Sequence, residues 1–310
     1  MTQKATLSPN HSIRRADGPA GQRNSVSSRV FDIFNYVFVT LVAFTTILPF
    51  IYIIGASFAT EYELSTRPMF IIPRDVTLDS YRYIFSSNKI LGAFGNSVFI
   101  TAAGTAVNLF FTVTMAYAIS KKRLRGRTIV LNMVIFSMFF SGGMIPSFIV
   151  ISSWLKMKNT YWSVIIPGAI SAYNMMIVKN FFQGIPQELE ESAYIDGAGE
   201  VRTLVSIVLP LSTAIIATMA LFYGVGNWNE FTAAIIYNHE EKYYPIQVII
   251  QRMYSESVKK VMDDEVASRR LASEAIKSAT VVFGTLPIVC VYPFLQKHFA
   301  KGVMVGSLKG

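Results

Sequence analysis

The chain has 310 residues, 52% of them hydrophobic and 15% charged, with a mean hydropathy of +0.41. An ordinary soluble domain carries about 25% charged residues, so composition argues against a typical globular protein in water. The formal net charge of +9 and pI near 9.5 would suggest nucleic acid in a soluble chain, but here the cations flank apolar runs, where they suit anionic lipid headgroups.

Residues 1–30 are polar and carry Arg14, Arg15, Arg23 and Arg29. They have no apolar core, so a cleavable signal peptide is not expected in them. Their Gly, Ser, Asn and Pro content and lack of periodicity predict a disordered segment. Six stretches then lack Asp, Glu, Lys and Arg: 33–60, 90–120, 128–155, 159–178, 203–229 and 278–296. A span needs roughly 20 apolar residues, and backbone amides in lipid must bond internally, so each stretch predicts a helix. The expected class is an all-α integral membrane protein, with a first transmembrane helix over 31–60 and an even number of spans that leaves both termini on one side.

The run Lys121-Lys122-Arg123-Leu124-Arg125-Gly126-Arg127 is the densest basic segment. The positive-inside rule makes its face, and with it both termini, cytoplasmic. The loop after the fourth stretch falls on the same face yet carries Glu188, Glu190, Glu191, Asp196 and Glu200; acids contribute little to orientation. The outer segment 237–277 holds Ile246, Ile249, Ile250, Met253, Val258, Val261 and Met262 at partly helical spacing, which predicts an external helix. Its seven Lys/Arg and seven Asp/Glu balance, so it is no electrostatic funnel. Cys290 stands alone and reads as a small packing residue. His11, His239 and His298 lie far apart and give no metal-ligand pattern.

The acidic loop has a local logic. Pro186 followed by Gln187, Glu188 and Glu190 is a helix start. Gly197 and Gly199 break that helix, and a second begins near Val201. The bend predicts a positive φ at Gly197, and Pro210 predicts a kink where the fifth stretch begins.

Residues 191–210 read E-S-A-Y-I-D-G-A-G-E-V-R-T-L-V-S-I-V-L-P. This closely resembles the "EAA" loop of importer permeases of the ATP-binding-cassette class: a triplet (Glu191, Ser192, Ala193), three residues, Gly197, nine residues, Ile207, one residue, Leu209-Pro210. Ser192 in place of alanine is the one departure. The resemblance implies that Glu191, Ser192, Ala193, Asp196, Gly197, Leu209 and Pro210 couple the chain to a separate ATPase. A solvated acidic connector is the plain alternative.

Beyond the loop the chain resembles the carbohydrate-uptake, MalG-like branch of these permeases, and within it the LplC/YtcP-like group. The segments that carry this are Tyr81-Arg82-Tyr83-Ile84-Phe85, Gly95-Asn96-Ser97, Phe181-Phe182, Ile185-Pro186-Gln187-Glu188-Leu189 and Trp228-Asn229-Glu230-Phe231. The end of the chain, Tyr292-Pro293-Phe294-Leu295-Gln296-Lys297 and then Lys301 to Gly310, adds to it. The resemblance implies six transmembrane helices with a MetI/MalG-like permease core over 61–300, a coupling loop over 186–205, and a cytoplasmic tail over 301–310. It implies a bacterial cytoplasmic (inner) membrane setting and a heterodimer with a second permease subunit. Two copies of a cytoplasmic sugar-type ATPase and an extracytoplasmic solute-binding protein complete the assembly. The tail either reaches the ATPase dimer or is a frayed terminus.

No G-x-x-x-x-G-K-[ST] loop is present, so no cofactor is expected on this chain and ATP with Mg belongs to the partner ATPase. No nucleophile–base pairing stands out either, which argues against an enzyme. Polar and aromatic residues inside the spans are the candidates for a sugar path: Asn108, Tyr173, Asn174, Tyr223, Asn227, Trp228, Asn229 and Glu230. Interhelical glue is the competing role for Asn and Tyr, and a helix-end bond for Glu230. The cargo implied is an oligosaccharide or polysaccharide, neutral or acidic (a uronate polymer such as alginate or pectin fragments). A permease for a non-sugar solute and a stand-alone secondary carrier or membrane enzyme are the other readings; a carrier would tend to show an internal repeat, and none stands out.

Overall fold

The computed structural model describes residues 26–67, 69–261 and 274–307. Expectations for residues 1–25, Met262 and residues 308–310 lie outside the described residues. Among the described residues every regular element is helical, with one isolated antiparallel bridge between Ala59 and Val76. The chain divides into two units, residues 1–51 and 52–310.

The first unit is carried by α1 (Val26–Ser57), whose part Arg29–Ser57 is long and apolar enough to cross a membrane. Phe31, Phe34, Phe38, Leu41 and Phe44 are all exposed on it; a helix apolar all round suits lipid. Disorder was expected through residue 30, but the helix already runs from Val26. Each residue added to a formed helix gains a hydrogen bond, so the apolar run carries polar flanking residues with it.

The second unit opens with a small carboxylate-centred turn. In α2 (Glu61–Thr66), Glu63 is buried and accepts from the backbone N–H of Arg74 at 3.0 and 2.9 Å, from Asp75 N–H at 3.3 Å and from Arg67 Nη1 at 2.5 Å. These bonds, Arg74 first, hold its carboxyl below the usual carboxylate range. A depressed folded pKa means that the stabilisation is complete above the ordinary carboxylate pKa and is lost as pH falls through the folded value. Glu63→Gln should therefore lower the thermal midpoint at neutral pH and make the acid-side fall in stability shallower by the share this carboxylate contributes. Scanning the midpoint against pH for both forms checks this.

After α3 (Asp79–Ser86) comes α4 (Asn88–Ser120), a continuous helix of 33 residues. The third apolar stretch is not one rod: α5 (Arg127–Phe139) and α6 (Met144–Ile149), the latter continuing into a π-turn Val150–Trp154, meet at 114°. The break falls at Ser141-Gly142-Gly143, with Gly143 at φ +85°. The fourth stretch divides at Pro167-Gly168 into α7 (Trp162–Ile165) and α8 (Ala172–Gln183). Next come α9 (Gln187–Ile195) and α10 (Glu200–Thr203), a π-turn Leu204–Val208, α11 (Leu209–Leu211) and α12 (Thr213–Asn229). The arm 200–211 meets α12 at 86°. Among the described residues three helices are long and apolar enough to cross a membrane, or five if each bent pair is one span. The expectation of an unbroken helix is thus corrected in the third and fourth stretches, and in the fifth the expected kink is a full break of 86°. Hydropathy does not register Gly and Pro, which interrupt helices while remaining apolar. Irregular backbone at membrane depth is tolerated where protein buries it.

The chain ends with α13 (Thr232–Tyr237), a 3-10 turn Glu241–Tyr243, α14 (Ile246–Val261) and α15 (Glu274–Ser307). The outer segment does contain the expected helix, but α14 packs on α4 and α15 and buries Ile246, Val248 and Ile249. Ile246 N–H also bonds Ser97 Oγ on α4 at 2.8 Å. From Ile246 to Met253 its apolar positions thus face the chain's own core, while the side chains of Val258 and Val261 lie outside the described residues. The tail is helical through Ser307. Cys290 is exposed on α15, outside the chain's own core.

α4 is the axis of the second unit and packs on α12, α8 and α14. Its first half joins Ile84, Ile165, Trp228 and Ile246 in one apolar cluster through Ile90, Ala93 and Ile100. Its last turns join Met175, Val178, Phe182, Val208 and Met219 in a second through Val113, Ala116, Tyr117 and Ile119. Between those two halves α4 carries Thr105, Asn108 and Thr112, and the polar side chains there bond across helices.

Candidate coupling elbow and solute path

Pro186 sits at the N-cap of α9, and Glu188 and Glu190 fill its first turn, where the helix dipole favours acids. The end of α9 explains the glycine. Ala198 N–H bonds Ala193 O at 2.9 Å and Gly197 N–H bonds Tyr194 O at 3.0 Å, the paired bonds of a Schellman cap. That cap needs a left-handed residue after the last helical turn, and Gly197 has φ +77°, as the sequence predicts. Ala193 supplies the acceptor and is buried. Ser192 Oγ returns to Leu189 O at 3.0 Å. Gly199 then starts α10.

Leu209-Pro210 form the end of this arm. The π-turn precedes them, and the 86° bend falls between α11 and α12, around Ser212. Pro210 gives no N–H to the ladder, and a π-turn inside a helix often marks a functional site. A bend is present close to where it is predicted, at Ser212, two residues beyond Pro210.

Glu191 and Asp196 are exposed, and among the described residues neither side chain has a hydrogen bond or ion pair. Their neighbours behave differently. Glu190 pairs with Lys121, and Glu200 pairs with Arg123. Tyr194 OH accepts from Arg123 Nη2 at 2.6 Å and donates to Glu200 Oε2 at 2.9 Å. Tyr117 OH donates to the same oxygen at 3.0 Å. Lys121 Nζ lies 4.1 Å from the centre of the Tyr117 ring and the Arg123 guanidinium 4.5 Å from that of Tyr194. A cleft of about 450 Å³ runs between the two loops, lined by Lys121, Lys122, Gln187, Glu190, Glu191 and Tyr194 among others. Sequence reading placed the basic run and the acidic loop on one face but did not join them. Their opposite charge was the available signal.

The path candidates separate into two groups. Asn108, 2% exposed, donates from Nδ2 to Gly168 O at 2.5 Å and accepts from Asn227 Nδ2 at 2.9 Å. Asn227 also reaches Thr105 Oγ1 at 3.3 Å. Tyr223 OH shares a 2.6 Å bond with Thr112 Oγ1 and accepts from Ser171 N–H at 3.3 Å. These bonds tie α4, α12 and the α7–α8 break together as interhelical glue. A Cβ at Gly104 would stand 2.8 Å from Asn227 Nδ2, so only glycine lets this layer close. Trp228 is buried with Nε1 on Gly284 O at 2.9 Å, and Glu230 Oε1 accepts from Ala233 N–H at 2.8 Å at the start of α13. Tyr173 and Asn229 remain exposed and Asn174 half-buried. A crevice of about 340 Å³ between α4, α12 and α15 is lined almost wholly by apolar groups, with Trp228 the one path candidate on it, so it does not suit a sugar.

Residues 118–305 match the family described as binding-protein-dependent transport system inner membrane component. The chain is 50% identical over 288 residues to Protein LplC of Bacillus subtilis (93% of this chain, 97% of that protein). It is 44% identical over 287 residues to the polygalacturonan/rhamnogalacturonan transport system permease protein YtcP of the same organism (92% of this chain, 100% of that protein). A crystal structure of a bacterial ABC transporter involved in the import of the acidic polysaccharide alginate contains a chain that superposes with a TM-score of 0.81 at 29% identity, covering 89% of this chain and 98% of that one. The match runs from the end of α4 through α14 and most of α15, and on it the chain belongs to the binding-protein-dependent transport inner membrane component family, as a non-catalytic permease subunit of an ABC importer.

Proposed function

We propose that the chain is one of two permease halves of an importer for acidic oligosaccharides or polysaccharide fragments, uronate polymers among them. An extracytoplasmic solute-binding protein delivers the cargo, and two cytoplasmic ATPase copies, which hold ATP and Mg, drive the cycle. The observation that carries the mechanism is the elbow: α9 is closed by a left-handed glycine and presents Glu191 and Asp196 exposed, with no partner among the described residues. A rigid helix with unpaired acids is suited to a groove with donors on a second protein. In this reading the elbow end of the unit and both termini are cytoplasmic, in accord with the basic run beside it. Support for the cargo comes from the names of the relatives, a polygalacturonan/rhamnogalacturonan permease and an alginate importer. Tyr173 and Asn229, the exposed path candidates, are the residues to face it: a phenol to stack on a sugar ring, an amide to bond hydroxyls or carboxylates.

The test is ATP hydrolysis by the reconstituted complex with its binding protein. Galacturonate or rhamnogalacturonan oligomers should stimulate it several-fold, and maltooligosaccharides should not. Stimulation by neutral glycans alone would give the neutral-sugar reading instead.

A further inference from the structure

We propose that the basic loop 121–127 is a working part of the coupling device, a second arm that carries movement of the elbow directly into α4. The inference rests on the docking role proposed for α9. Covalently, α9 is joined only to α8 at Pro186 and to α10 at Gly199, so displacement of the elbow would reach the bundle through α8 and α12 alone. The structure adds a third connection. Lys121, the first residue after α4, pairs with Glu190 on α9; the two side chains are 15% and 14% exposed. Arg123 pairs with Glu200 at the start of α10. Tyr117, in the last turn of α4, donates to that same carboxylate.

One cation therefore grips each side of the glycine bend, and two phenols converge on Glu200. Charge-assisted bonds with a cation over each phenol are directional. Lys121–Glu190 is the shielded pair, whereas the Arg123 and Glu200 side chains are 56% and 51% exposed. The second grip therefore works through its geometry and the two phenols on Glu200 more than through charge alone. The grip leads to the helix best placed to use it. α4 packs on α12, α8 and α14 and bears the Asn108 layer that closes on Asn227 and Gly168. The division of charge fits the same picture: Glu190 and Glu200 are engaged inside the chain, while Glu191 and Asp196 are exposed with no partner among the described residues. Lys121, Arg123, Glu190 and Glu200 are positioning residues, acting through the elbow.

The test uses the full complex in proteoliposomes, reading uptake and ATP hydrolysis together. Arg123→Glu and Glu200→Arg should each lower solute moved per ATP about tenfold while hydrolysis continues. The double exchange Arg123→Glu/Glu200→Arg should restore at least half of that ratio, which a general packing defect would not do. Should the reversals fail to assemble, Tyr194→Phe and Glu200→Gln keep volume and should still lower the ratio severalfold. Glu191→Lys runs alongside as the probe of docking itself. A wild-type ratio in the clamp variants beside an uncoupled Glu191→Lys overturns the second arm alone. A wild-type ratio in all of them, Glu191→Lys included, overturns the docking role as well.

Discussion

Gly197→Val should reduce ATP-coupled uptake to below about a tenth of wild type while leaving the subunit in the membrane. Nothing lies within 4 Å of a Cβ built at Gly197, so the effect is not crowding. It is the backbone: φ is +77°, where an L-residue costs roughly 1–2 kcal/mol and a β-branched one is an outlier. Valine would relax toward negative φ, breaking the bonds from Gly197 N–H to Tyr194 O and from Ala198 N–H to Ala193 O, at 3.0 and 2.9 Å. The last turn of α9 would then fray and the angle between α9 and α10 would be lost. Asparagine tolerates the left-handed region, so Gly197→Asn should keep most of the uptake. The pair separates conformation from side-chain size. Uptake by reconstituted complexes, with subunit yield as the control, measures it. Normal transport by the valine variant would show that the elbow's shape is not used.

The elbow was legible because its signals are local. A glycine after a short acidic helix, a proline at each end and fixed spacings are properties of neighbours in sequence, and Gly197, Gly199 and Pro210 act where they were read. The all-helical class was equally plain, since bilayer chemistry leaves an apolar chain of this length few alternatives. The broken spans were not legible from charge-free length: Pro167-Gly168 and Ser141-Gly142-Gly143 read as part of apolar runs until their backbone is considered. Long-range partners were the least visible. That Asn108 meets both Asn227, 119 positions on, and Gly168, 60 positions on, depends on how α4 and α12 rotate about their axes. Neither helix has a polar stripe pronounced enough to fix that rotation. Likewise, the inward face of α14 could not be told from a face awaiting a partner, because both give the same apolar period.

The Asn108 layer separates two roles that a polar residue in a span can play. Asn108→Leu removes the donor to Gly168 O and the acceptor of Asn227 Nδ2. An unsatisfied buried polar group costs about 1–3 kcal/mol, and hydrogen bonds between membrane helices contribute somewhat less, about 0.6–2 kcal/mol each. The variant should therefore unfold several degrees lower in detergent, with uptake falling in proportion to the complex that survives. The link from α4 to the α7–α8 break is the part expected to loosen, since the carbonyl of Gly168 sits within that break. Thr114→Val is the matched control. Thr114 is exposed on the same helix and, among the described residues, bonds only within it, to Phe110 O at 2.7 Å and Phe111 O at 3.2 Å, so its loss should move neither readout. If Asn108→Leu instead kept the wild-type midpoint and lost uptake, the side chain would be handling cargo, and its burial beneath α12 would have to open during the cycle. The thermal midpoint and the uptake rate, measured on the same preparation, decide between glue and path.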